Sequence, residues 1–229
     1  MIESKLRGAN SGGGGGLTAK SFGITTMDLS VNHALVVSNL NAINLLIGGH
    51  PDTTFASGIG LNGAYDAMFY GTGSGSLGPT GSSWVDTHNA GGGLIVGTFQ
   101  AGSYQAGHSN IGDMYTFFTS VTYSPMTNHP FTVPSGNVIS DTAGVTSGIH
   151  NYYGANSLSA ANGGTAFGNV PEMNNGAEWV QYDNGTNRYI ANQISAHDGP
   201  NSLQTSSYTT ELSAYKLLVA QLYWVARGI

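Results

Sequence analysis

Turn-forming residues constrain this chain most. Between Gly48 and Gly168 they recur as Gly48-Gly49, Asn62-Gly63, Gly71 to Gly75, Gly78-Pro79, Gly91 to Gly93, Pro134-Ser135-Gly136 and Asn162-Gly163-Gly164. Each combines residues that adopt positive φ or preset a bend. Short aromatic or β-branched runs lie between them: Ala67 to Tyr70, Leu94 to Phe99, Met114 to Tyr123 and Phe131 to Val133. Many short strands with glycine-rich turns predict an all-β fold: a sandwich, jelly roll or barrel with long Gly-rich loops.

The flanking segments extend that reading. Glu178 to Tyr182 and Arg188 to Ile194 enclose Asp183-Asn184-Gly185-Thr186-Asn187, which predicts a hairpin, because Asn-Gly supplies the positive-φ turn residues. Leu35 to Val37 and Ile43 to Ile47 are apolar at a spacing that also fits a helix. Asn32, Asn39, Asn41 and Asn44 are poor helix formers, so two short strands with a turn are expected there. From Tyr208 to Ile229 both faces of a strand would be apolar, as in a central strand or a subunit interface, with a helix from Thr210 to Ala226 as the alternative. Residues 1–16 end in five glycines and read as a flexible tether, leaving 17–229 as a single β-rich domain.

Charge is scarce. Only 8% of residues are charged, against about 25% in an ordinary domain. From Ser21 to Asn187 there is no lysine or arginine; the cations are Lys5, Arg7, Lys20, Arg188, Lys216 and Arg227. That excludes nucleic acid as a partner, since releasing phosphate counterions takes clustered cations. It equally disfavours anionic membranes. Edge strands would lack the lysines that normally block strand addition, so strand pairing between subunits is expected. The absence of cysteine excludes disulfides and thiolate metal sites. The N-terminus has no apolar signal-peptide core, and Leu217 to Ala226 falls short of the ~20 residues that span a bilayer.

No motif names a reaction. Gly58-Ile-Gly60-Leu-Asn-Gly63 spells a dinucleotide loop, but no βαβ unit is expected around it. Asp86 and His88 would share one face of a strand and are weak candidates for a metal, with no further ligands identified. The plainer reading is hydrogen bonding within loops, which applies also to His50-Pro-Asp52, His108 with Asp113, and His197-Asp198. No cofactor is expected. Trp84, Tyr104, Tyr152, Tyr153, Trp179 and Tyr182 lie in or beside polar loops, where aromatic faces next to Asn and Ser suit an uncharged sugar. Glu172 and Glu178 flank a short loop and form a candidate carboxylate pair for glycan cleavage.

A glycine-rich start (Gly12 to Gly16), a cysteine-free Gly/Ser/Thr/Asn/Tyr body and an aromatic last segment (Lys216 to Gly228) together resemble virion appendage and surface proteins of tailed bacteriophages. The resemblance is compositional and spans the chain. It implies a non-enzymatic structural or receptor-binding subunit of a phage particle: a tail fibre, spike or decoration protein. Such a subunit would be a homo-oligomer, a trimer or higher ring, outside the cell without a classical signal peptide. It would touch other virion subunits through residues 1–20 and host-surface glycans through the aromatics. The alternatives are a secreted lectin-like module and a glycan-cleaving enzyme.

Overall fold

The computed structural model describes residues 16–26, 30–59, 61, 64–70, 93–97, 117–123, 129–150, 155–195 and 201–229. Strands are numbered in chain order. The centre is a seven-stranded sheet of order β2-β1-β3-β4-β11-β10-β9. Its parallel part comprises β1 (Ser21–Thr26), β2 (Thr54–Ile59), β3 (Ala67–Tyr70), β4 (Gly93–Gly97) and β11 (Arg188–Asn192). β10 (Trp179–Asp183) and β9 (Thr165–Phe167) add an antiparallel margin. The run β2-β1-β3-β4 is the doubly wound order of open α/β folds.

This corrects the all-β expectation. The short runs are strands close to where the sequence puts them, and the Asn184-Gly185 hairpin joins β10 to β11. Five of the sheet's strands nevertheless run parallel, which requires crossovers. A helix links β1 to β2: α1, His33–Leu46, occupies the stretch expected to be two strands. Three asparagines of this stretch have defined tasks. The Asn32 side chain accepts from Leu35 N as the N-cap, Asn39 Nδ2 donates to Leu203 O at 2.8 Å, and Asn44 Nδ2 donates to His50 O at 3.0 Å. Tertiary hydrogen bonds thus outweigh a weak local propensity.

The C-terminal segment is also a helix, α3 (Leu212–Val225). Ala214, Tyr215 and every residue from Leu217 to Val225 are buried. A helix enclosed on all sides is apolar all round, which imitates a strand buried on both faces. Between the two lies the short α2 (Val138–Ala143), whose end at Gly144 takes φ 63°.

Side-chain alternation builds two cores. Phe22, Ile24, Phe69, Ile95, Trp179 and Ile190 face α1 and α3. Met68, Val180, Tyr189 and Ala191 face the other way, onto Phe117, Phe118 and Leu158. Phe118 and Leu158 belong to a second, two-stranded sheet of β5 (Phe118–Tyr123) and β8 (Ala155–Ala160). A further ribbon pairs β6 (His129–Thr132) with β7 (Ser147–His150).

Candidate functional site

In open α/β sheets, ligands bind outside the carboxyl ends of the parallel strands. Those ends are Thr26, Ile59, Tyr70, Gly97 and Asn192. β10 runs antiparallel, pairing Trp179 with Asn192, so Glu178, which precedes β10, lies at the same edge. Its backbone is held on two sides: Glu178 N donates to Phe167 O at 2.9 Å, and Gln193 N donates to Glu178 O at 3.2 Å.

The β6–β7 ribbon brings histidines to this carboxylate. Thr132 and Asn169 exchange backbone hydrogen bonds of 2.9 and 2.8 Å, which ties the ribbon to the chain just after β9. The β6–β7 register sets His129 opposite His150. His150 Nε2 then lies 2.8 Å from both carboxylate oxygens of Glu178, with both side chains fully buried. Phe131 stacks on the His150 ring at 4.7 Å. It can do so because its register partner is Gly148, where a Cβ would strike the Phe131 ring and Ser213. Beside them His129 Nδ1 sits 3.5 Å from Glu172 Oε2 on the Pro171–Met173 turn; His129 is buried and Glu172 is exposed.

Burial pushes the Glu178 carboxyl above its ordinary value, and the His150 ring, by charge and hydrogen bond, offsets only part of that. A carboxyl that keeps its proton beyond the usual range, bonded to an imidazole, is equipped for proton transfer. The β1/β3 switch point, the other favoured ligand position in such sheets, is three strands from β10, about 14 Å at ordinary strand spacing. His33 Nδ1, in the first turn of α1, lies 2.9 Å from Ser57 Oγ on β2 near that point.

Two expected glycan contacts have other roles. Trp179 is fully buried in the core, stacked on Phe167 at 5.4 Å, with Nε1 donating to Gln181 Oε1, so it offers no face to a sugar. Tyr182 stacks on Phe117 and Tyr189 beside the second core. Trp84, Tyr104, Tyr152 and Tyr153, the metal candidates Asp86 and His88, and the pairs His108/Asp113 and His197/Asp198 lie outside the described residues. Gly58 of the G-x-G-x-x-G spelling is inside β2, at the margin of the sheet. His50 and Asp52 are 3.9 Å apart on the connection from α1 to β2, at the amino edge. Glu172 and Glu178 come to one cluster, each facing a different histidine. Among the described residues no group of three or more His, Cys, Asp or Glu is arranged to hold a metal. The sequence reading missed His129 and His150, because their acidic partners are far away in the chain. Their one local signal is position: His129 begins a short strand and His150 ends one.

No protein-family profile and no curated protein sequence matches the chain. Solved structures do. The fold is similar to a cytoplasmic protein from Salmonella typhimurium, with TM-score 0.59 and 10% identity over 90% of this chain and 98% of that one. It is similar to a ThuA-like protein from Parabacteroides merdae, at TM-score 0.55 and 10% identity over 92% and 91% of the two chains. It also resembles a glutamine amidotransferase from Thermotoga maritima, at TM-score 0.54 and 8% identity over 90% and 98%. At these identities the likeness is one of fold. The α/β fold and these neighbours overturn the expectation of a non-enzymatic phage tail fibre, spike or decoration subunit, which rested on composition and implied a β-rich subunit. The lectin-like alternative, raised on the loop aromatics, is set aside by the same neighbours.

Proposed function

We propose that this chain is an α/β enzyme acting by general acid–base catalysis on a small polar amide or ester, with Glu178 and His150 as the proton-transfer pair. The observation that carries this is the buried carboxyl of Glu178, raised above its ordinary value and bonded to His150 at the carboxyl edge of the sheet. One protein of similar fold is a glutamine amidotransferase, whose name implies an amide substrate. This chain has no thiol nucleophile, and in this reading water attacks the carbonyl directly. The pair would take the proton from that water and return it to the leaving nitrogen or oxygen. Glu172, exposed and 3.5 Å from His129, would form the solvent-facing side of the site.

The full burial of both side chains favours a second reading, in which the pair clamps the β6–β7 ribbon to β10. The two are separated by assaying wild type, Glu178→Gln and His150→Gln against chromogenic amides and esters while following melting temperature. The catalytic reading expects turnover in the wild type that falls at least about a hundredfold in both variants while each stays folded. Unchanged turnover in a folded variant, or none in the wild type, would overturn it and leave the clamp.

A further inference from the structure

We infer that β2 is the pairing edge of a symmetric dimer, in which a second copy of this chain continues the sheet antiparallel through β2. Thr54 N donates to Lys20 O at 2.9 Å, and the parallel register pairs Thr54 with Ser21, Ala56 with Gly23 and Gly58 with Thr25. In a parallel ladder alternate residues turn to the same neighbour. Thr54, Ala56 and Gly58 therefore bond β1, while the N–H and C=O groups of Phe55, Ser57 and Ile59 point outward. Among the described residues no strand lies on that side. Proteins normally protect such an edge with lysine, proline, a bulge or an inward charge. β2 reads Thr-Phe-Ala-Ser-Gly-Ile and has none of these; all six of its residues stay in register with β1.

The edge fits a second copy of itself. A two-fold axis at Ser57 sets Ser57 opposite Ser57 of the partner copy, and Phe55 and Ile59 each opposite the other. These are the three outward-facing positions, so every hydrogen-bonded pair of an antiparallel ladder falls on a residue with groups to give. Ile59 is 43% exposed and would be covered across the seam, beside a Phe55 that is already packed on Phe22. α1 packs against the same margin and exposes Leu45 (67%) and Leu46 (58%) in its last turn. Neither β2 nor α1 carries an Asp, Glu, Lys or Arg, so two copies of a chain with net charge -6 meet here without repulsion.

The test is solution mass by light scattering, with amide hydrogen exchange, on the full chain and on two variants. Ser57→Pro removes an N–H that β1 does not use, and Ile59→Lys installs the missing gatekeeper. The wild type is expected at the mass of two chains, with the amides of Phe55, Ser57 and Ile59 protected. Each variant is expected to be a folded monomer, and in Ile59→Lys those amides exchange freely. A monomeric wild type would overturn the inference. So would a dimer that both variants leave intact, or protection of those amides in a monomer, which would mean that another part of the chain covers the edge.

Discussion

Replacing Glu178 with glutamine tests the buried pair through a pH signature that packing alone does not produce. The substituted amide keeps the volume and one acceptor for His150 Nε2, which in the wild type lies 2.8 Å from two carboxylate oxygens, and it removes the ionisable proton. Exchanging a hydrogen bond that carries charge for a neutral one costs about 1 kcal/mol. Glu178→Ala would instead strand His150 in the core and cost about 3–5 kcal/mol. The signature comes from linkage. Burial, only partly offset by His150, lets the folded chain hold the Glu178 proton more tightly than the unfolded chain does. The stabilisation from that difference is fully present below the unfolded glutamate value, about 4.3. It is lost as pH climbs through the raised folded value, at about 1.4 kcal/mol for each unit separating the two. Wild-type stability should therefore fall as pH rises through this window, and the Glu178→Gln variant should lack that component. Of the other groups facing the site, His129 on β6 and Glu172 on the adjoining turn are common to both proteins and largely cancel in the difference, whereas His150 on β7 is coupled to Glu178, so the difference reports the pair. Urea unfolding followed by tryptophan fluorescence, from about pH 4.5 to about pH 8, gives the two curves. The gap should be widest in acid and narrow toward neutrality. A constant gap across the range would refute the assignment of a raised proton affinity to Glu178.

Three further outcomes are expected. Tyr223→Phe removes the hydroxyl that lies 2.6 Å from Thr53 Oγ1, donates to Asn44 Oδ1 at 2.8 Å and accepts from His50 N at 3.0 Å, so denaturant titration should show a loss of about 1–3 kcal/mol. Gly148→Ala drives a methyl into the Phe131 ring that stacks on His150; it should cost about 1–3 kcal/mol and lower any turnover supported by Glu178, read by melting temperature and assay together. At Asp183, burial pushes the carboxyl up but is outweighed by the Gly185 N–H and by Arg188 and Arg227, which hold it below the usual aspartate range. Its contribution is present above the unfolded value of about 3.9 and lost as pH falls through the lowered one, so Asp183→Asn should differ from wild type by under about 1 kcal/mol near neutrality and converge with it in acid.

The sequence exposes the short strands of this protein far better than their assembly. Ala67 to Tyr70, Leu94 to Val96 and Phe131 to Thr132 fall on strands, and Asn184-Gly185 sits at the hairpin it spells. Parallel order is invisible at that level, because alternation of side chains is the same in either direction. The helices are hidden for two different reasons. In α1, Asn39 and Asn44 look like helix breakers until Leu203 and His50 are seen as their acceptors, contacts 164 and 6 residues away. In α3 the period itself disappears: Leu217 to Val225 are all buried, and a helix with no polar face cannot be told from a core strand by spacing. The candidate site shares this difficulty. His150 and Glu178 are 28 residues apart and meet only through the β6–β7 register and the Thr132–Asn169 bridge.

The scarcity of cations acquires a direction once the fold is known. Lys20 precedes β1, Arg188 opens β11 and Arg227 follows α3, so these three lie at the amino edge of the sheet. There Arg188 stacks on Trp224 at 4.6 Å and bonds Asp183 at 2.8 Å, while Arg227 Nη2 donates to Gly185 O at 2.7 Å. They tie the β10–β11 hairpin to the end of α3. At the opposite, carboxyl edge the chain leaves β1, β3, β4 and β11 through residues 27–32, 71–92, 98–117 and 193–207, and none of these segments contains a lysine or arginine. Doubly wound proteins that take phosphorylated ligands hold them at this edge on helix N-termini, usually with a cation to neutralise the charge. In sequence those segments hold Asp, His, Asn, Ser, Thr and aromatic residues and no cation. The scarcity of charge thus sorts by edge: Lys20, Arg188 and Arg227 sit at the amino edge, where the two arginines tie the hairpin to the end of α3, and the buried His150–Glu178 pair sits at the other.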